Sequence, residues 1–315
     1  VGAREERLRI DDVETPGPAR DLVGYGPNPP RVVWPDEAAV AVSFVINYEE
    51  GAEYSYPMGD ARNDVFTETP DYTLPDRRDL GAESMYEYGS RAGIHRVMRL
   101  FREYDAKTTV YAAAVALEKN PEIGRLLVED GHEPCSHGWR WENAWSLSRE
   151  EERERIRATV KSFEKTCGRR CVGAYHRYAP SLNTRELLIE EGFLYDSDSY
   201  ADDLPYFTQV NRKTHLVVPY TLVYNDARFV LSQGFGDIGA FVDLVDRALE
   251  DLRREAAAGY PKMISIGLHA RLIGVPGRIS AIREMIEHML ERGDCWITTR
   301  EAIANWWLDH HAEWE

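Results

Sequence analysis

The chain has 315 residues, long enough to bury a core without disulfide or metal staples, and carries a net charge of −16 at neutral pH. That acidity, with no run of Lys or Arg to offset it locally, argues against a nucleic-acid partner. A hydrophobic content of 43% excludes a disordered chain; no run of 18 apolar residues suggests a membrane span, and four cysteines are too few for a disulfide scaffold.

The first residues, VGAREERLRIDD, lack the apolar centre of a signal peptide, so a cytoplasmic location is expected. Residues 11–36 are rich in Pro and Gly and read as part of an extended arm, residues 1–36, packed on one domain spanning 37–315. Within that domain, short apolar runs rich in Val, Ile and aromatics recur at 40–47, 108–115, 132–137, 171–176, 192–197, 215–220, 263–269 and 295–299. Amphipathic stretches lie between them at 91–105, 121–131, 148–168, 183–192, 248–259 and 280–293. Strands alternating with helices predict an α/β fold with parallel strands, a (β/α) barrel of seven or eight strands. The segment 51–85 is long for a connection inside a compact barrel and is expected to form a lid over the pocket.

In such a barrel, chemistry gathers at the C-terminal ends of strands. Here those ends carry Asn47-Tyr48-Glu49-Glu50-Gly51, Ser136-His137-Gly138, Tyr175-His176-Arg177, Asp196-Ser197-Asp198 and His269. Any one of these groups alone would suit a solvated loop or a hydrogen-bonded core position, but their joint placement points to a proton-transfer or hydrolytic site. Cys135 and His137, two apart, have the spacing of a thiol–imidazole pair, yet a small Cys filling the core explains the pattern more simply. Cys167 and Cys171 are expected to be surface-loop thiols, since no second pair completes a metal site. His310 and His311 read as an exposed tail.

The stretches RDLVGYGPNPP (20–30), NYEEG (47–51), ESMYEYGSRAG (83–93), CSHGWRW (135–141), RYAPSLNTREL (177–187), LYDSDSYADDLPY (194–206), HLVVPYTL (215–222) and GLHARLIGVPGR (267–278) resemble the polysaccharide deacetylase superfamily, carbohydrate esterase family 4. Within it, they are most similar to the branch of allantoinases and cyclic-imide hydrolases. The resemblance implies a distorted barrel of the polysaccharide deacetylase type and a hydrolase of non-peptide C–N bonds. It implies Glu49 as general base, His269 as general acid, and Arg177 as the residue that holds the base carboxylate.

It further implies Glu50 and His137 as metal ligands. The second His of the family's metal motif is replaced by Trp141, so either no cofactor is required or a divalent ion such as zinc is weakly held, with Glu142 or water filling in. Trp139 and Trp141 are expected to wall the pocket and stack on a flat ring, with Asp198 and Tyr48 also on the substrate. The implied partner is a small cyclic amide or ureide, with no nucleic acid and no membrane, and the implied assembly is a homo-oligomer. Two alternatives are a metal-dependent N-deacetylase of an acetamido sugar and a catalytically silent barrel that binds a small ligand or glycan. The retained Glu49, Arg177 and His269 favour an enzyme over the silent barrel.

Overall fold

The structure, a computed structural model, describes residues 16–231 and 234–314. The first strand, β1 (Val40–Tyr48), is fully buried and alternates between two apolar layers. Val40, Val42, Phe44, Ile46 and Tyr48 face the helices, whereas Ala41 and Val45 face the interior of the curled sheet. This period-two division is what a strand covered on both faces requires.

Eight further strands join it: β2 (Thr109–Ala112), β3 (Glu133–Ser136), β4 (Gly173–Ala174), β5 (Tyr195–Asp196), β6 (Tyr206–Val210), β7 (Lys213–Val217), β8 (Lys262–His269) and β9 (Cys295–Ile297). The order across the sheet is β6-β7-β5-β4-β3-β2-β1-β8, with β9 alongside β1. β1 pairs with β8 from Val40↔Lys262 to Asn47↔His269, with β9 at Val40–Val42 and with β2 at Val45–Tyr48. All neighbours run parallel except β6, which forms a hairpin with β7. Asn211 and Arg212 turn that hairpin with φ of 49° and 64°, the left-handed pair of a two-residue type I′ loop. Strand β6 lies outside the eight sequence-predicted runs. The sheet curls into a half-barrel, and on its open side Asn225, outside any strand, forms a parallel bridge to Gly267 of β8.

The helices are α1 (Leu80–Tyr88), α2 (Ile94–Glu103), α3 (Ala114–Lys119), α4 (Pro121–Glu129), α5 (Arg149–Thr166), α6 (Thr184–Glu190), α7 (Ile238–Ala257), α8 (Ala270–Ile273), α9 (Ser280–Arg292) and α10 (Arg300–His310). A π-helical turn, Gly89–Gly93, joins α1 to α2, so the stretch expected at 91–105 is one part of a longer irregular helix. A Cβ on Gly89 would lie 2.1 Å from Glu50 Oε1, and one on Gly93 would lie 2.1 Å from the Ala270 carbonyl oxygen. The two glycines therefore let this helix press directly on two site-bearing segments.

Residues 16–36 of the arm are described, and Trp34 closes the N-terminal mouth of the sheet, donating from Nε1 to the Lys262 carbonyl at 3.0 Å and packing among Trp296, Trp307 and Trp314. The rest of the expected arm, residues 1–15, lies outside the described residues. The interior above this plug holds Arg300, fully buried, bonded to Ser197 Oγ at 3.0 Å, Ser265 Oγ at 2.6 Å and the Pro219 carbonyl at 2.6 Å.

Two peripheral expectations are corrected and a third, Cys135 as a core residue, is met. Cys167 and Cys171 are buried free thiols, because they pack into the helix-side core with Phe163 and Ile123 instead of lying on a surface loop. His310 and His311 end α10 with Nδ1 bonded to the Trp306 and Trp307 carbonyls, and His310 stacks on Trp306 at 3.9 Å. Cys135 lies in the interior with Sγ 3.6 Å from the Tyr195 hydroxyl, its thiol pushed well up by burial and poorly suited to nucleophilic attack.

Candidate active site

β1 ends at Tyr48, and the chain then turns sharply, with the Ala52 N–H donating to the Glu49 carbonyl at 2.8 Å and Gly51 at φ +85°. This turn leaves Glu49 and Glu50 both buried at the C-terminal end of the sheet. β3 delivers His137 to the same level, and β8 delivers His269, two residues ahead of Arg271 in α8.

These side chains converge on Glu49. One carboxylate oxygen, Oε2, accepts from Arg271 Nη1 at 2.7 Å. The other, Oε1, lies 3.3 Å from His137 Nε2 and 3.6 Å from His269 Nε2. Each imidazole has its far nitrogen committed: His137 Nδ1 to the Tyr175 carbonyl at 2.8 Å, His269 Nδ1 to Asp226 Oδ1 at 2.6 Å. Because a carbonyl and a carboxylate can only accept, both Nδ1 atoms carry protons, and Nε2 is the nitrogen that each ring offers to the site. Asp226 also accepts the backbone N–H of His269 at 2.8 Å.

Burial would raise Glu49, but Arg271, then His269 and His137, hold its carboxyl well below the usual carboxylate range. Glu50 behaves oppositely. Burial pushes it up to about 7 against the pull of Arg271, with the Glu49 charge adding to the rise. Its Oε2 accepts the Glu49 N–H at 2.9 Å, and its Oε1 is buried without a partner, 3.8 Å from Arg271 Nη1. A cavity of about 330 Å³ borders Glu50, lined also by Glu53, Tyr86, Ser90, Lys119 and Asn120.

The segment 51–85 passes over this cluster. Phe66 lies 5.3 Å from the His269 ring and 5.8 Å from Trp141, and its carbonyl is 3.4 Å from Arg271 Nε. The guanidinium of Arg271 is itself surrounded by rings, 4.4 Å from Tyr86, 5.1 Å from Phe66 and 5.5 Å from Trp141.

Several sequence-predicted residues sit elsewhere. Arg177 does not touch Glu49; it pairs with Asp64 of the 51–85 segment, donates to the Trp141 carbonyl at 3.1 Å and stacks 3.7 Å over the Trp141 ring. Arg271, which the sequence reading passed over inside GLHARLIG, holds the carboxylate instead. Tyr48 faces the helix layer, where its hydroxyl meets Ser90 Oγ at 2.8 Å, because its strand parity points it away from the interior. Asp198 accepts from His176 through the backbone N–H at 2.7 Å and Nδ1 at 2.8 Å, and Asp196 is held by Arg185 at 2.6 Å, so both carboxylates tie the sheet's far side together. Trp141 is buried against Phe66, but Trp139 packs on the helix-side core and lines a small cleft with His137, His176 and Glu152.

The expected metal ligands Glu50 and His137 are not brought together as a donor set. His137 Nε2 faces Glu49, Glu50 is engaged with the Glu49 N–H, and Glu142 is 3.5 Å from Arg155. Among the described residues no group of three or more His, Cys, Asp or Glu side chains is arranged to hold a metal ion. Trp141 fills the place of the family's second His, and a guanidinium already neutralises Glu49, so these residues do not fit a catalytic divalent ion.

Asp226 and Phe66 were also missed in the sequence. Asp226 precedes no recognisable motif, and only its position 43 residues before His269, on a turn beside β8, makes it a partner.

The strand ends of the curled sheet thus gather a carboxylate, a guanidinium and two imidazoles with Nε2 turned inward, on an α/β barrel of the deacetylase type. Residues 81–188 match the polysaccharide deacetylase family model. A Schizosaccharomyces pombe protein named "Putative polysaccharide deacetylase" is 36% identical over 93% of this chain and 98% of its own. A solved structure of a "probable Polysaccharide deacetylase" from Pseudomonas aeruginosa PAO1 is 44% identical, covering 93% of this chain and 98% of that one with a TM-score of 0.88. The solved structure of Puue Allantoinase is 42% identical, covering 95% and 99%, with a TM-score of 0.89. The chain belongs to the polysaccharide deacetylase family.

Among the described residues, no helix is long and apolar enough to cross a membrane.

Proposed function

We propose that this protein hydrolyses a non-peptide C–N bond in a small cyclic amide, imide or ureide of the allantoin kind, with Glu49 and His269 dividing the proton transfers. The observation that carries this reading is the 3.6 Å approach of His269 Nε2 to Glu49 Oε1, with the opposite carboxylate oxygen fixed by Arg271 at 2.7 Å. Glu49 is anionic and oriented, so its Oε1 accepts a proton from a water as that water's oxygen bonds to the substrate carbonyl carbon. Collapse of the tetrahedral intermediate breaks the C–N bond as the proton held on Glu49 passes across the short gap to His269 Nε2, which delivers it to the departing nitrogen, leaving both groups as they began. Asp226 keeps the His269 ring in the orientation and tautomer this cycle needs.

Burial of Glu49 and the cover of Phe66 and Trp141 favour a small flat substrate over a polymer strand. The similarity to Puue Allantoinase supports the same substrate class. The second reading, N-deacetylation of an acetamido sugar, is supported by the family match and by a Helicobacter pylori peptidoglycan deacetylase 27% identical over 39% of this chain. The deciding assay is product detection on allantoin, hydantoin, succinimide and an acetylated chito-oligosaccharide, each with and without chelator. Ring opening that survives chelation supports the proposal; turnover of the sugar alone, dependent on added metal, refutes it. A homo-oligomer belongs to the same proposal, and a monomer on gel filtration would contradict that part.

A further inference from the structure

Arg271 does more in this site than its ion pair with Glu49 requires. The side chain is buried, Nη1 is committed to Glu49 at 2.7 Å, and Nε lies 3.4 Å from the Phe66 carbonyl. Its Nη2 is buried with no hydrogen-bond partner. A charged donor left unmatched in the interior is costly, and such groups in folded proteins are normally satisfied. Three rings, Tyr86, Phe66 and Trp141, shield the guanidinium from water and strengthen its field inside the site. The residues expected to ligate a divalent ion do not form a donor set, and this fixed cation sits against the Glu49 carboxylate.

We infer that Arg271 supplies the positive charge at the reacting carbonyl, with Nη2 donating to the substrate carbonyl oxygen and to the oxyanion that replaces it. The inference rests on the hydrolase reading above but not on which amide is the substrate. As water adds to the carbonyl carbon, the C=O π pair moves onto oxygen, and the N–H···O hydrogen bond from the guanidinium shortens as that charge develops. When the C–N pair leaves with the proton from His269, the oxygen regains its double bond and Nη2 is released. Arg271 neither gains nor loses a proton, so nothing beyond water is consumed. Because guanidinium keeps its charge at any working pH, this device needs no ion to be captured from solution.

The test compares the chelator-treated wild type with Arg271→Lys and with Arg271→Ala, on hydantoin and on the acetylated chito-oligosaccharide. Lys keeps the charge beside Glu49 but lacks the second N–H fork, so we expect kcat to fall about 100-fold or more with KM changed no more than about threefold. Guanidinium ion at millimolar concentration should restore turnover to Arg271→Ala, whereas ammonium should not. If Arg271 only keeps Glu49 ionised, the Lys variant will regain its rate as pH is raised, and that recovery overturns the inference. A Lys variant within threefold of wild type, or rescue of Arg271→Ala by a divalent ion in place of guanidinium, overturns it as well. Should Arg271→Ala not fold, Arg271→Lys with its pH profile decides alone, with near-ultraviolet circular dichroism confirming its packing. If only the sugar is turned over, the cyclic-substrate reading fails while the same variants, assayed on the sugar, still judge Arg271.

Discussion

Asp226 grips His269 at two points, accepting the ring Nδ1–H at 2.6 Å and the backbone N–H at 2.8 Å. The carboxylate thereby fixes both the position of the imidazole and the nitrogen it presents. Asp226→Asn would preserve the shape while allowing the wrong tautomer. We expect kcat to drop by about 10²- to 10⁴-fold with little loss of thermal stability, measured by steady-state kinetics beside a melting curve. An unchanged rate would remove Asp226 from the site.

Glu49→Gln removes the proton acceptor but keeps its volume and one oxygen. Turnover should fall to background while the far- and near-ultraviolet circular dichroism spectra stay those of the wild type. A retained rate would show that another group activates water.

Phe66 joins the 51–85 segment to the site through its contacts with His269 and Trp141. Phe66→Ala deletes one wall of the enclosure. KM for a ring substrate should rise about tenfold or more, as expected for losing an aromatic contact, and protection of the site from water should fall with it. Unaltered KM and kcat would show that this segment does not contribute to binding.

Far from the chemistry, burial pushes His132 down to about 4, and its Nδ1 accepts the Thr108 N–H at 3.3 Å. Between pH 6.5 and 4 the unfolded chain binds a proton here that the folded chain refuses. Stability therefore declines as pH falls through that window, by at most about 3 kcal/mol. His132→Asn, which keeps an acceptor for Thr108, should flatten this part of a urea-denaturation pH profile. An identical profile in the variant would contradict the assignment.

Trp34 seals the N-terminal mouth of the sheet and is almost completely buried. Trp34→Ala should cost about 3–5 kcal/mol in urea unfolding. A loss under 1 kcal/mol would mean that the arm contributes little to the fold, against the usual cost of such a cavity.

Much of this was legible in the sequence because strands buried on both faces announce themselves as apolar runs, and each of the eight runs overlaps a strand. The hairpin strand β6 was not, since its alternate residues are exposed and its polar YFTQV lacks an apolar run. Glu49, His137 and His269 were legible as strand-end groups beside recognisable motifs. Arg271 takes the place expected of Arg177 because a guanidinium sits on a long side chain: chain position fixes where it starts, and packing against Trp141 or Tyr86 decides where it ends. Tyr48 was misread for a different reason, the strand's parity, which the turn at Gly51 obscures. Asp226 depends wholly on tertiary proximity, so no local pattern marks it.

The open seam of the barrel acquires a purpose from that last contact. At the open side of the sheet beside β8, the chain sends in a short turn, Asp226–Phe229, anchored by the bridge between Asn225 and Gly267. Gly267 leaves room for it, since a Cβ there would lie 2.4 Å from Asn225 Nδ2. A fully hydrogen-bonded wall would have had no vacancy for a carboxylate behind His269. The gap in the sheet is thus the socket in which the support of His269 is mounted, and stitching it shut would be expected to abolish the proposed hydrolysis.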